Sequence, residues 1–387
     1  MANPPTTNEV DRSAAASDIA RPDGGRIVAI DALRGFDMFW IAGGSELLLA
    51  LMTIFKNPVP DWLRQQFGHT EWQGFTAWDL IMPLFLFVVG AAMPFSFARR
   101  IEAGQSKRQL YSKLFRRTLV LFVLGMAVQG HLLDFKLSTL HVFANTLQAI
   151  AVGYLIAGIV MLNVGVVGQV VFTALMLVGF WLLLMFVPLG EHGAGSLEPH
   201  ANVALAVDQF VLGRFIDGTD PPYTWVLSGM TFAATVLLGV FSGHVLRSRM
   251  PPWVRVLVLT TLGILCLAAG WAWAERLGFP IIKHIWTSSM TLWAGGWSYL
   301  LLALFYLLID VIGFRRWAFP FVVIGANAIA IYVAWHFIPF REIAEGFVGG
   351  LSAHLGSVGA FVIALATVSL WWFVLYDLYR RKIFLRL

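Results

Sequence analysis

Charge is what this sequence has least of. Only 13% of its 387 residues are Asp, Glu, Lys or Arg, where ordinary domains carry about a quarter. With 58% hydrophobic residues and a mean hydropathy of +0.75, a soluble globular protein is excluded. Cysteine is confined to Cys266, inside an apolar run, so no intrachain disulfide can form and the thiol reads as packing. No HExxH or CxxC spacing, P-loop, dinucleotide fingerprint or GxSxG elbow occurs. Zinc hydrolase, ATPase and Rossmann readings therefore lack support, and no metal is expected. The net charge of +5 does not point to nucleic acid either, because the basic residues fall in short loops between apolar runs.

The apolar runs themselves are plentiful. A helix needs about 20 mainly apolar residues to cross the hydrocarbon, and ten stretches qualify: 32–54, 78–98, 117–134, 142–163, 167–188, 224–246, 254–274, 290–312, 318–338 and 357–378. The expected fold is an all-α polytopic membrane bundle of about ten transmembrane helices, occupying 26–387. Residues 1–25, rich in Ala, Ser, Asp, Pro and Gly, read as a disordered tail. The first apolar segment begins near Ile27 and is expected to stay as a membrane helix rather than be cleaved. Sixteen Trp and 31 Phe suit interfacial belts and buried packing equally.

Lys and Arg set the sidedness. One face collects Arg12, Arg21, Arg26 and Arg34, the run from Arg99 to Arg117, Arg247, Arg249, Arg255, Arg315 and Arg316, and the C-terminal Arg380, Arg381, Lys382 and Arg386. That is 20 of the 27 basic residues, so both termini are expected to be cytoplasmic. The opposite face holds Lys56, Arg64, Lys136, Arg214, Arg276, Lys283 and Arg341, together with a long loop at 189–223. That loop carries Glu191, Glu198, Asp208, Asp217 and Asp220, and reads as a lid or as a passive connector.

Ionisable groups near apolar spans are costly, which makes each a functional-site hypothesis. His69 lies in a short aromatic loop and Asp79 opens the second span. His69 suits a general base or an acyl carrier, or is an interfacial histidine bonded to a carbonyl. Asp79 either caps its helix or orients His69. Arg34, in Asp31-Ala32-Leu33-Arg34, either snorkels to headgroups or forks onto a phosphate. Glu46 follows Gly43-Gly44-Ser45 inside the first span and should face a polar cavity. Asn145 and Gln148 share a helix face at i and i+3 and are candidates to line a pocket. Lys283-His284-Ile285-Trp286-Thr287-Ser288-Ser289 reads as an anion site or as a cap on the eighth span.

Five ordered motifs carry a family resemblance: Ile30-Asp31-Ala32-Leu33-Arg34-Gly35-Phe36-Asp37; His69-x-x-Trp72-x-Gly74-Phe75; Asp79-Leu80-Ile81-Met82-Pro83-Leu84-Phe85; Trp286-Thr287-Ser288-Ser289; and Pro320-Phe321-Val322-Val323-Ile324-Gly325-Ala326-Asn327-Ala328-Ile329-Ala330-Ile331-Tyr332. From about residue 27 onward the chain resembles the heparan-α-glucosaminide N-acetyltransferase family and its bacterial members. The resemblance implies a multi-pass acyltransferase of the bacterial inner membrane, in contact with lipid and forming a homodimer. Acetyl-CoA would be the cytosolic co-substrate and an extracytoplasmic amino sugar or glycan the acceptor. It places the essential histidine at His69, with Asp79 or Glu46 orienting it. Trp72, Trp286 and Ser288 would contact the acceptor, and Arg34, Asn145 and Gln148 the CoA path. One departure stands out. Where animal members have Asn-Tyr-Gly-Gly in the first span, this chain reads Trp40-Ile41-Ala42-Gly43-Gly44-Ser45-Glu46, which makes Glu46 the candidate to take over part of the missing Asn's role. The rival reading is a non-enzymatic carrier of a small anionic or sugar solute.

Overall fold

The computed structural model describes residues 27–55, 58–189 and 192–384. The expected tail 1–25 and residues Arg26, Lys56, Glu191 and Arg386 lie outside the described residues. Helix α1 (Val28–Phe39) passes through a π-helical turn at Trp40–Gly44 into α2 (Ser45–Phe55). The direction changes at Gly43, whose φ of 104° suits only a residue without a side chain. The start of α1 is capped from far along the chain: the Asp310 carboxylate accepts from Val28 N at 3.2 Å and Ala29 N at 2.9 Å.

A short helix α3 (Asp61–Gln65) and a 3-10 turn (Trp78–Leu80) lead to α4 (Ile81–Glu102), then α5 (Lys107–Val128), α6 (Thr146–Asn163) and α7 (Val166–Phe186). The outer loop contains a two-stranded hairpin, β1 (Leu197–Glu198) antiparallel to β2 (Ala201–Asn202), followed by α8 (Val203–Leu212). Then come α9 (Gly229–Arg247), α10 (Pro252–Arg276), α11 (Ser288–Tyr306), α12 (Phe319–Ala326), α13 (Ala328–Phe337), α14 (Phe340–Ser352) and α15 (Ser357–Arg380).

Among the described residues, eight helices are long and apolar enough to cross a bilayer, and the α12–α13 pair, bent by 66°, makes a ninth if counted as one span. The all-α membrane architecture is therefore as expected from the apolar runs. The third expected span, 117–134, differs most. Its helix starts ten residues earlier at Lys107 behind a Ser106–Gln109 capping box and ends at Val128. Its first half carries Lys107, Arg108, Lys113, Arg116 and Arg117, so it is not among the eight.

Helices α4 and α9 are the most enclosed spans, and α10 is among the least. Two pairs of glycines set the closest crossings. A Cβ on Gly35 would sit 1.7 Å from the Phe321 carbonyl oxygen, and one on Gly325 2.0 Å from that of Asp31, so α1 and α12 meet backbone to backbone. Gly90 and Gly239 do the same for α4 and α9, each 2.0 Å from the other helix's carbonyl. Without a hydrophobic drive between helices in lipid, such close van der Waals contact is what holds spans together.

Gly35→Val should force α1 from α12 and lower the unfolding free energy in detergent by at least about 3 kcal/mol, the upper end of ordinary overpacking. Gly346, in α14 with nothing within 4 Å of a built Cβ, is the control. Gly346→Ala should be neutral or stabilising by up to about 1 kcal/mol through helix propensity. Equal melting of the two variants would sink the close-contact account.

Candidate functional site

The second span opens on a reciprocal cap. Thr76 N donates to Asp79 Oδ2 at 3.1 Å while Asp79 N donates to Thr76 Oγ1 at 3.4 Å. Thr70 adds its amide at 3.4 Å and its hydroxyl at 3.3 Å to the same oxygen. Oδ2 is thus spent on the helix start. The other oxygen, Oδ1, turns to His69 Nδ1 at 2.7 Å and Lys283 Nζ at 3.3 Å. The two sequence readings of Asp79, cap and orienting group, are met by its two oxygens separately.

Lys283 arrives from 214 positions along the chain. Its loop is tied to the His69 loop by a bridge between Gln73 and Ile282 and by Gly74 N donating to Ile281 O at 2.9 Å. The turn that aims Lys283 is strained: Trp286 has a φ of 56°, a region bulky residues avoid. Burial holds it there, with the Trp286 indole donating to Thr235 Oγ1 at 3.2 Å and lying edge-on to Phe232 at 4.9 Å. Thr287 caps α11, Ser289 donates to Pro280 O, and Ser288 donates to Leu177 O at 2.7 Å. Trp286 and Ser288 are therefore committed to holding this loop.

The site is polarised between a buried inside and an open outside. Asp79 is fully buried and Lys283 nearly so, but the His69 side chain is 44% exposed, so a solute can reach the imidazole. A 2.7 Å contact between two acceptors would be repulsive, so Nδ1 carries the proton and donates to the carboxylate. That leaves the Nε2 lone pair without a partner among the described residues, the form a general base requires. Burial pulls the Lys283 ammonium down to about 8, against the Asp79 charge that holds it up. Burial, then the charge of Lys283, pulls His284 down to about 4, so its ring is neutral at pH 7. That ring packs on Tyr223 at 4.1 Å and Trp72 at 5.4 Å.

The outer loop forms a small cap over this wall. The Trp72 indole donates to Leu197 O at 3.0 Å in the hairpin. Buried Asp208 accepts from Trp225 N at 2.6 Å and Val226 N at 2.9 Å, which fastens α8 to the chain leading into α9.

At the far end of α4 is a second feature, an open cleft of about 490 Å³. Arg34, Arg99, Arg100 and Arg117 line it beside Asp31, with Phe85, Val89, Tyr154 and Ile329 deeper in. The Arg117 guanidinium stacks 4.6 Å over the Tyr154 ring, and Arg34 lies 3.5 Å from Asp31. Beyond it a hollow bounded by Phe85, Thr146, Ile329 and Tyr332 has no room for water. Asp79 and Arg99 are joined by one continuous helical run, which sets them about 30 Å apart at 1.5 Å per residue.

The other expected residues lie elsewhere. Asn145 is the N-cap of α6, accepting from Leu147 N and Gln148 N and donating to Gly125 O at 2.9 Å. Gln148 donates to Val142 O and accepts from Ala144 N at 2.8 Å. Glu46 is half-exposed and pairs with Arg341 at 3.6 Å. Lys283 is the residue the sequence reading weighed only as an anion site or cap. The signal was available: a lone lysine in Pro280-Ile281-Ile282-Lys283 must find a carboxylate if that apolar loop is buried.

Asp79→Asn should cost about 3–5 kcal/mol of unfolding free energy by stranding the buried ammonium. Glu46→Gln, which breaks an exposed pair, should cost less than about 1 kcal/mol. Chemical unfolding of the two variants in one detergent checks the contrast, and equal losses would refute it.

Comparison with known proteins adds family evidence. Over 378 residues the chain is 24% identical to heparan-alpha-glucosaminide N-acetyltransferase of Homo sapiens, covering 82% of this chain and 55% of that protein. Against the Mus musculus protein of the same name the identity is 24% over 383 residues, covering 82% and 56%. No family model matches the chain. It spans about half the length of the curated relatives it matches. Across most of its own length, then, this chain is a distant relative of the heparan-α-glucosaminide N-acetyltransferase family.

Proposed function

We propose that this chain is a membrane acetyltransferase that takes acetyl-CoA at the arginine cleft and acetylates an amine or hydroxyl of an extracytoplasmic sugar at His69. The observation that carries the reading is the His69–Asp79 pair, with a free imidazole nitrogen on its exposed side. The printed names of the two relatives and the basic cleft support it. Four guanidiniums beside a cleft suit the phosphates of a coenzyme, since each can fork onto two phosphate oxygens.

In this reading His69 Nε2 removes a proton from the acceptor as its nitrogen or oxygen attacks the thioester carbonyl. The new N–C or O–C bond forms, the C–S bond breaks, and the imidazolium returns its proton to the leaving thiolate. Asp79 holds the ring and balances the charge formed on it, as the carboxylate of a triad does. The tight hollow shares Phe85 and Ile329 with the cleft, and in this reading the thioester arm passes these side chains on its way to the imidazole. Arg34 at the cleft keeps its expected place on the coenzyme side, and Trp72 walls the acceptor side through His284. Both termini lie in the cytoplasm in this scheme, on the side of the cleft, and the bilayer is a bacterial inner membrane.

Transfer of labelled acetyl from acetyl-CoA to glucosamine, by protein in liposomes, tests the reading. His69→Ala should lose at least about 100-fold in kcat, the lower range for a general base. Arg34→Gln or Arg100→Gln should raise KM for acetyl-CoA about tenfold with kcat little changed, as loss of uniform binding does. Equal turnover by His69→Ala and the parent protein would remove the imidazole from the chemistry.

A further inference from the structure

We propose that Lys283 is a positioning residue for the His69 base: its ammonium, seated on Asp79, keeps neutral the imidazole that Asp79 holds in the Nδ1–H form, with Nε2 turned to the acceptor. This rests on the reading of His69 given above.

Three atoms make the case. Nδ1 of His69, Nζ of Lys283 and Oδ1 of Asp79 form a triangle with sides of 2.7, 3.0 and 3.3 Å. An ammonium has donors only, and Nδ1 already carries the proton it gives to Oδ1, so the 3.0 Å side is a contact between a cation and a ring, not a hydrogen bond. If the ring took a second proton, two cations would share one buried carboxylate oxygen. A like charge at that range disfavours the imidazolium. Asp79 alone would bias the ring towards the imidazolium and narrow the pH range over which Nε2 is a free base.

The surrounding groups do not alter the balance. Asp79 comes from the start of the second span, Lys283 and His284 from the loop before α11, and Tyr223 with Asp217 from the outer segment. Burial, the dominant cause, keeps His284 neutral at pH 7 and raises the Tyr223 hydroxyl, so its phenolate does not form there either. Asp217 is engaged by the Trp225 indole at 2.8 Å and by Thr219. Lys283 is thus the cation that sets the ring's protonation. It also helps complete transfer, because an imidazolium formed beside it gives its proton readily to the departing thiolate.

The test is the pH profile of kcat/KM for acetyl-CoA and glucosamine, for the parent protein, Lys283→Met, Lys283→Arg and His69→Ala. Lys283→Met should move the acid limb up by about one pH unit. The variant is then about tenfold slower below the limb and converges with the parent protein at alkaline pH. Lys283→Arg, which keeps the charge, should retain the parent limb. A Lys283→Met profile of unchanged shape, whether lowered evenly or not at all, overturns the role of Lys283 and leaves His69 as base. An active His69→Ala overturns the underlying reading instead. Should Lys283→Met not assemble, 15N NMR of histidine-labelled parent protein decides: a neutral His69 ring at neutral pH supports the inference, and an imidazolium there ends it.

Discussion

One carboxylate organises the His69 end of this protein. Asp79 has no exposure to water, and a charge in that position is stable only if donors from the protein replace the lost hydration. The chain supplies them from the loop that carries Asp79 itself and from one far along the sequence. Thr70 and Thr76 saturate one oxygen and thereby start the second span, while His69 and Lys283 occupy the other. Because the donors belong to different loops, satisfying the charge also fixes how residues 68–80 lie against residues 280–287. The strained Trp286 turn is intelligible on these terms. Its backbone energy is the cost of delivering an ammonium to a carboxylate that cannot be left alone.

How much of this could be read from the sequence depended on whether the physics was local. Spans were legible because hydrocarbon demands a contiguous apolar stretch, and eight of the ten expected stretches fall on helices long and apolar enough to cross, with 318–338 broken into a bent pair. Lys107–Val128 was misplaced because its basic first half lowers hydropathy without interrupting the helix, which begins at a capping box ten residues upstream of the expected start. Helix α14 was missed altogether. It is 13 residues long, too short to span, and amphipathic, with Ile343, Phe347 and Leu351 on an exposed stripe and Phe340 and Ala344 against the bundle.

The site followed the same division. His69 and Asp79 were visible since both are ionisable and only ten positions separate them. Lys283 was not, because its partner is 204 positions away and no local pattern announces the pairing. Asn145 and Gln148 show the reverse failure of a local rule. Polar residues at i and i+3 suggest a lined pocket, but a helix buried at its start needs those same atoms to satisfy its first amides and the chain before it. Glu46 follows the Gly43 break, and the helix beyond it carries the carboxylate to a half-exposed place beside Arg341.

A single rod joins the two ends described above. The run from Asp79 to Arg99 has no loop in it, and Gly90 clamps its middle against α9. The span between guanidiniums and imidazole is accordingly a fixed gauge, set by the number of peptide units and not by flexible tether. Any molecule that engages both ends at once must match that gauge with its own length, so reach alone can select it before either end inspects its chemistry.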